Sequence, residues 1–108
     1  MRLNTYNNLE EFYEQYNYDR DILNGHFTGI EFEYNFRVYR LSKDYSNKSK
    51  ERLKYWTYEV IDYDTQFPSF IELNKYVNLD AVLNEWIIEG KKFKDIIMDD
   101  NTIILAQD

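Results

Sequence analysis

The segment 29–41 constrains the fold more than any other part of this chain. Apolar and polar residues alternate there, and a period of two with β-branched and aromatic residues is typical of a strand. One straight strand of this length would be long for a chain of 108 residues. The pattern therefore predicts a continuous strand that bends near Asn35. The alternating residues are Ile30, Phe32, Tyr34, Phe36 and Val38 on one side and Glu31, Glu33, Asn35 and Arg37 on the other.

A tight two-residue turn at Asn35 and Phe36 is the alternative to a continuous strand. Phe is a poor residue for a turn position that needs positive φ. The continuous bent strand is therefore the preferred prediction. The turn would create sensible cross-strand pairs, namely Phe32 with Tyr39, Ile30 with Leu41 and Glu31 with Arg40.

A second strand is predicted over residues 53–63, and it most simply forms an antiparallel hairpin with the first. The polar segment 43–50 becomes the loop at the tip of that hairpin. A helix is predicted to begin at Ser69, because Ser69 and Glu72 have the spacing of a capping box. The other predicted elements are a helix capped by Asn7 or Asn8 that ends near Tyr18, a helix capped by Asp80, a short helix over 91–98, a turn over 99–101 and a strand over 102–106.

These elements predict one α+β domain that spans residues 1–108. A small antiparallel sheet, made of a bent hairpin and a short C-terminal strand, packs against three to four short helices. No internal repeat or linker interrupts the chain. The aromatic residues on buried stripes are expected to form the core, namely Phe12, Phe32, Trp56, Phe70 and Trp86.

Aromatic and acidic residues are both abundant. Twenty residues are aromatic, eleven of them Tyr, and twenty are acidic, which gives a net charge of −7. Tyr suits interfaces because it combines a large apolar ring with a polar tip, although coding bias in an AT-rich genome also raises its count. The charge is segregated: residues 37–54 carry +5, while 1–36 carry −5 and 55–90 carry −6. This segregation indicates a charged partner.

The residues available for chemistry do not form a catalytic pattern. The chain has no Cys and one His, His26, which is predicted to lie in a loop. Asp62 with Asp64, and Asp99 with Asp100, are expected to be solvated carboxylates at strand ends and turns rather than metal ligands. The sequence therefore predicts no enzyme, no metal site and no cofactor.

Small, cysteine-free, acidic α+β chains rich in Tyr and Asn, with helix–hairpin–helix order, resemble the accessory inhibitors of phages and mobile elements, anti-CRISPR proteins among them. The resemblance covers composition, length and element order, and it includes no diagnostic motif that would assign residue roles. It implies a protein that inhibits a basic, RNA-guided nuclease by nucleic-acid mimicry or occlusion. Two alternatives stay open: an immunity protein or antitoxin that neutralises a toxic enzyme, and an accessory interaction domain with no inhibitory role.

The partner is expected to be a basic, nucleic-acid-binding protein. Direct nucleic-acid binding is not favoured, because the sequence pI is about 4.7. The predicted contact residues are those where acids and tyrosines interleave, and a basic loop is the second candidate. They are Glu31, Glu33, Tyr34, Glu59, Asp62, Tyr63 and Asp64, and, in the basic loop, Lys48, Lys50 and Arg52.

Targeting signals are not evident in the sequence. The first ten residues lack the apolar stretch of a signal peptide, and no run approaches the roughly 18 apolar residues of a membrane span. We therefore expect a cytoplasmic protein that is complete from Met1. The sequence predicts no particular oligomeric state.

Overall fold

The computed structural model describes residues 10–12, 29–43 and 55–107. Residues 10–12 are helical. The other elements are β1 (Gly29–Tyr34), β2 (Arg37–Lys43), β3 (Tyr55–Ile61), β4 (Ser69–Tyr76), α1 (Leu79–Glu85), β5 (Ile87–Ile88), β6 (Lys91–Lys92), α2 (Phe93–Ile97) and β7 (Ile103–Gln107).

Five of the seven described strands form one sheet in the order β4-β3-β2-β1-β7. Every neighbouring pair is antiparallel, and β1 to β4 follow one another as a meander. β5 and β6 form a separate two-stranded hairpin. The prediction of an α+β fold with a small antiparallel sheet and a short C-terminal strand is confirmed.

The β1–β2 connection corrects the preferred sequence prediction. A two-residue turn separates the strands, with Asn35 at φ 50° and Phe36 at φ 66°, so the continuous bent strand is wrong. Turns with two positive φ values match the twist of the flanking strands. This turn sets the register of β1 and β2. The register forms the pairs of the alternative prediction, namely Phe32 with Tyr39, Ile30 with Leu41 and Glu31 with Arg40.

The helices cover one face of the sheet, which we call the core face. Trp86, which follows α1, is fully buried and stacks on Phe93 with ring centroids 4.8 Å apart. Phe32 of β1 meets Trp86 edge-on at 5.9 Å, and Tyr39 of β2 meets it at 6.2 Å. This aromatic cluster joins the sheet to both helices, and Phe12 packs against Phe93 at 5.6 Å.

β4 corrects a second prediction. The helix expected to begin at Ser69 is wrong, because residues 69–76 form a strand along the edge of the sheet. The pairing with β3 shifts between Thr57 and Tyr58, which leaves Leu73 as an extra residue in a β-bulge. Because the bulge interrupts the alternation of side chains, β4 accommodates apolar residues whose spacing resembles that of a helix.

The elements near the C-terminus mostly agree with the sequence. The N-cap of α1 is Asn78 rather than the predicted Asp80, since Asn78 Oδ1 accepts the backbone N–H of Ala81 at 2.8 Å. α2 lies within the helix predicted over 91–98 and buries Phe93, Ile96 and Ile97. The turn after α2 and the strand β7 are also confirmed.

Of the five predicted core aromatics, three are fully buried, one is partly buried and one is exposed. Phe12, Phe32 and Trp86 are fully buried, and Trp56 is partly buried. Phe70 is 50% exposed, because it lies on the edge strand. β3 occupies the middle of the strand predicted over 53–63 and pairs with β2 as predicted. The loop of that hairpin, His26 and the predicted limits of the first helix lie outside the described residues.

Candidate functional site: an acidic groove

A groove of about 540 Å³ opens at the end of the sheet where the β1–β2 turn lies beside the C-terminal end of β3. Val38 and Val60 are neighbours across β2 and β3, and both are largely buried, so they form an apolar floor. Acidic and aromatic side chains surround them. The other lining residues are Glu33, Phe36, Arg37, Glu59, Ile61, Asp62, Tyr63 and Asp64.

Two tight turns that contain residues with positive φ form the rims of this acidic groove. In the β1–β2 turn, Phe36 is 97% exposed. At the end of β3, Asp62 adopts φ 57°, a left-handed conformation that Asp and Asn tolerate better than most residues. The Asp62 carbonyl accepts both the N–H and the hydroxyl of Thr65, at 3.0 and 2.8 Å. This turn holds Tyr63 and Asp64 at the groove.

The electrostatics of the acidic groove are dominated by unpaired carboxylates. Its lining has four carboxylates and one guanidinium. Arg37 Nε lies 3.3 Å from Glu59 Oε2, so these two charges offset each other. Within the described residues, Glu33, Asp62 and Asp64 form no ion pair. The acidic groove therefore has three negative charges available to a partner.

Tyr63 at the acidic groove and Tyr39 behind it both remain neutral phenols. Burial raises the pKa of Tyr63, and the negative charge of Glu31 raises it further. Burial also raises the pKa of Tyr39 behind the groove, although the charge of Arg37 opposes this effect. Each phenol therefore keeps its proton well above neutral pH. Tyr63 is 37% exposed, so it offers a partner both a ring and a hydroxyl.

Two of the predicted contact residues make contacts within the chain and do not line the acidic groove. Tyr34 is 5% exposed and belongs to the hydrophobic core. Glu31 Oε1 accepts a hydrogen bond from Arg40 Nη1 at 3.1 Å, and Arg40 Nε donates to Ser42 at 2.8 Å. A Cβ at Gly29 would clash with Arg40 Nη2, so glycine allows this arginine to lie across β1.

The structure brings the other five predicted acidic and aromatic contact residues together. Lys48, Lys50 and Arg52 of the basic loop lie outside the described residues. Sequence reasoning missed Phe36 and Arg37 as lining residues, because the preferred continuous strand put no turn there. The five residues grouped at the acidic groove are Glu33, Glu59, Asp62, Tyr63 and Asp64.

The other carboxylate pair of interest, Asp99 and Asp100, belongs to a turn. Asp99 Oδ1 accepts the N–H of Asn101 at 2.8 Å, and its Oδ2 lies 3.9 Å from Lys91 Nζ. In the described ranges, no group of three or more His, Cys, Asp or Glu residues could hold a metal ion. No described helix is long and apolar enough to cross a membrane.

Comparison with known proteins gives no relative: no family model, no curated protein and no solved structure matches the chain. Its function is therefore inferred from the acidic groove.

Proposed function

We propose that this protein is a non-catalytic binding protein that inhibits a basic, nucleic-acid-handling protein by docking the acidic groove on its basic surface. The observation that carries the proposal is the grouping of three unpaired carboxylates, Glu33, Asp62 and Asp64, beside two exposed rings, Phe36 and Tyr63. The lining supplies carboxylates, aromatic rings and one paired guanidinium, which are groups suited to holding a partner.

The two kinds of side chain have complementary effects on binding. Aromatic side chains are enriched among the residues that contribute most to interfaces, because they bury a large area with little loss of conformational freedom. Carboxylates steer a basic partner into position and raise the association rate by 10- to 1,000-fold in favourable cases, as an order of magnitude. The turn at Asp62, where Thr65 donates two hydrogen bonds to the Asp62 carbonyl, adds preorganisation, because less of the chain has to be ordered on binding.

The proposed inhibition is a competition for a phosphate-binding surface. A protein surface that binds a duplex uses Lys and Arg to neutralise phosphates, and carboxylates on a rigid frame occupy the same cations. An RNA-guided nuclease is one partner of this kind, and an anti-CRISPR protein would act on it in this way. Competition with duplex DNA therefore distinguishes this mechanism from binding at an unrelated surface.

The experiment captures partners from the source organism on immobilised protein and compares three forms. The groove variant, E33Q/D62N/D64N, removes the three unpaired charges with near-isosteric replacements, and Asn is compatible with the left-handed backbone at position 62. The control variant, E85Q/D95N/D100N, removes the same charge from exposed positions outside the groove.

We expect wild-type and control protein to retain the same basic, nucleic-acid-binding protein, and the groove variant to lose most of it. Duplex DNA should displace the captured protein. The proposal is wrong if the groove variant captures as much as wild-type protein. The inhibitory mechanism is wrong if capture depends on the groove but duplex DNA fails to compete.

A further inference from the structure

Among the described residues, the outer edge of β4 is unpaired, and the strand carries exposed apolar side chains. β4 pairs with β3 on one side, and no described strand pairs with it on the other. Phe70 and Ile71 are each 50% exposed, and Val77, directly after the strand, is 51% exposed. Unpaired N–H and C=O groups along such an edge are a template for another strand, and proteins usually protect long apolar edges of this kind.

We propose that β4 pairs with β4 of a second copy of this chain, antiparallel about a two-fold axis, so that the two sheets join. The sequence of the strand favours one register, in which the axis passes between Leu73 and Asn74. Directly opposite residues in an antiparallel pair lie on the same face and interact. In this register, Glu72 meets the second copy's Lys75, Phe70 meets the second copy's Val77 and Ile71 meets the second copy's Tyr76.

The β-bulge supports the same register. The pairing with β3 shows which face of the sheet each β4 residue occupies. Phe70, Glu72 and Lys75 lie on the outer face, which is the face away from the helices, because they pair with Val60, Tyr58 and Trp56. Ile71 and Asn74 pair with Glu59 and Thr57, on the core face. The extra residue at the bulge reverses the alternation halfway along the strand. When β4 pairs with itself about an axis between Leu73 and Asn74, outer-face residues lie opposite outer-face residues and core-face residues lie opposite core-face residues. A register shifted by one residue places core-face residues opposite outer-face residues.

The charges of β4 fit pairing with an identical strand. A lysine on an edge strand normally discourages pairing, but Lys75 Nζ already lies 3.4 Å from Glu72 Oε1 within the chain. Both side chains are about half exposed, so they can exchange this local contact for the equivalent contact across the axis. Symmetry makes two such ion pairs for each dimer. The inference rests on β4 alone and is independent of the acidic groove.

The test uses charge reversal with complementation, read as molar mass by sedimentation velocity over a concentration series. Wild-type protein should form a dimer. E72K places two lysines opposite each other twice in the dimer, and K75E places two glutamates there, so each variant alone should weaken dimerisation by about tenfold or more. An equimolar mixture of the two variants restores both cross-axis pairs and should dimerise.

The mixture distinguishes contacts between the two copies from the ion pair of Glu72 and Lys75 within one chain. Both single variants lose the ion pair within the chain, and mixing cannot restore it, so recovery of the dimer reports contacts between copies. The double variant E72K/K75E should dimerise like wild-type protein, and circular dichroism should show the wild-type fold in every variant. A wild-type monomer at the highest soluble concentration would overturn the proposal and leave the edge to a different protein. A dimer unaffected by either reversal would overturn it as well.

Discussion

The hydroxyl of Thr57 is predicted to hold the edge strand at its bulge. Thr57 is fully buried, its Oγ1 accepts the backbone N–H of Asn74 at 3.0 Å, and the same hydroxyl donates to the Asn74 carbonyl at 3.2 Å. A side chain thus supplies two hydrogen bonds at the point where the ladder between β3 and β4 is interrupted. The near-isosteric change Thr57→Val removes both bonds with little change in packing volume.

The size of the effect follows from these two bonds. Each contributes about 1 kcal/mol net, so Thr57→Val should lower the free energy of unfolding by about 2 kcal/mol. With a urea dependence of about 1.5 kcal/mol per molar, the unfolding midpoint should fall by about 1.3 M. Hydrogen exchange at the Asn74 amide should accelerate, while Thr57→Ser, which keeps the hydroxyl, should preserve its protection. An unchanged midpoint together with unchanged exchange at Asn74 would refute the role given to the hydroxyl.

Two further predictions concern the core and the tyrosines. Trp86→Ala should lower the free energy of unfolding, measured by urea titration, by about 3–5 kcal/mol, because it removes the central ring of the aromatic cluster. Phe70→Ala, at a half-exposed position on the edge strand, should lower it by only about 1 kcal/mol. Equal losses would contradict the assignment of Trp86 to the core and Phe70 to the edge. Burial raises the pKa values of Tyr39, Tyr63 and Tyr76, so the unfolded chain releases these protons first. Stability should therefore be unaffected by these groups below about pH 10 and fall above it. A urea midpoint that is as high at pH 11 as at pH 9 would contradict this.

The sequence was informative where one local pattern matched one element. The alternation after Gly29 and the apolar spacing of Phe93, Ile96 and Ile97 identified β1 and α2. The sequence also indicated the cross-strand pairs on either side of Asn35 and Phe36. The continuous strand was nevertheless preferred, because Phe is disfavoured at a turn position with positive φ. The register of the hairpin buries Phe32 against Tyr39, with ring centroids 5.6 Å apart, and this non-local gain is not encoded in the turn residues.

The error at β4 has a different physical origin. Ser69 and Glu72 have the spacing of a capping box. The apolar residues that follow have a helix-like spacing, which a strand accommodates through the bulge at Leu73. The strand forms because β3 offers an edge for pairing and Thr57 supplies hydrogen bonds at the bulge. Both contributions depend on the tertiary structure and cannot be predicted from the local sequence. For the acidic groove, the sequence could identify Asp62, Tyr63 and Asp64 as a cluster. It could not show that the turn at Phe36 lies beside them.

We propose that the unpaired carboxylates of the acidic groove attract a basic partner. The most direct test is the association rate constant with the captured partner, measured at low and at high salt for the wild-type, E33Q/D62N/D64N and E85Q/D95N/D100N proteins. Steering by the groove predicts that E33Q/D62N/D64N associates at least about tenfold more slowly at low salt, that the difference shrinks at high salt, and that the control variant behaves like wild-type protein. Equal slowing of both variants would mean that net charge alone, and not the groove, attracts the partner, and the account would be contradicted.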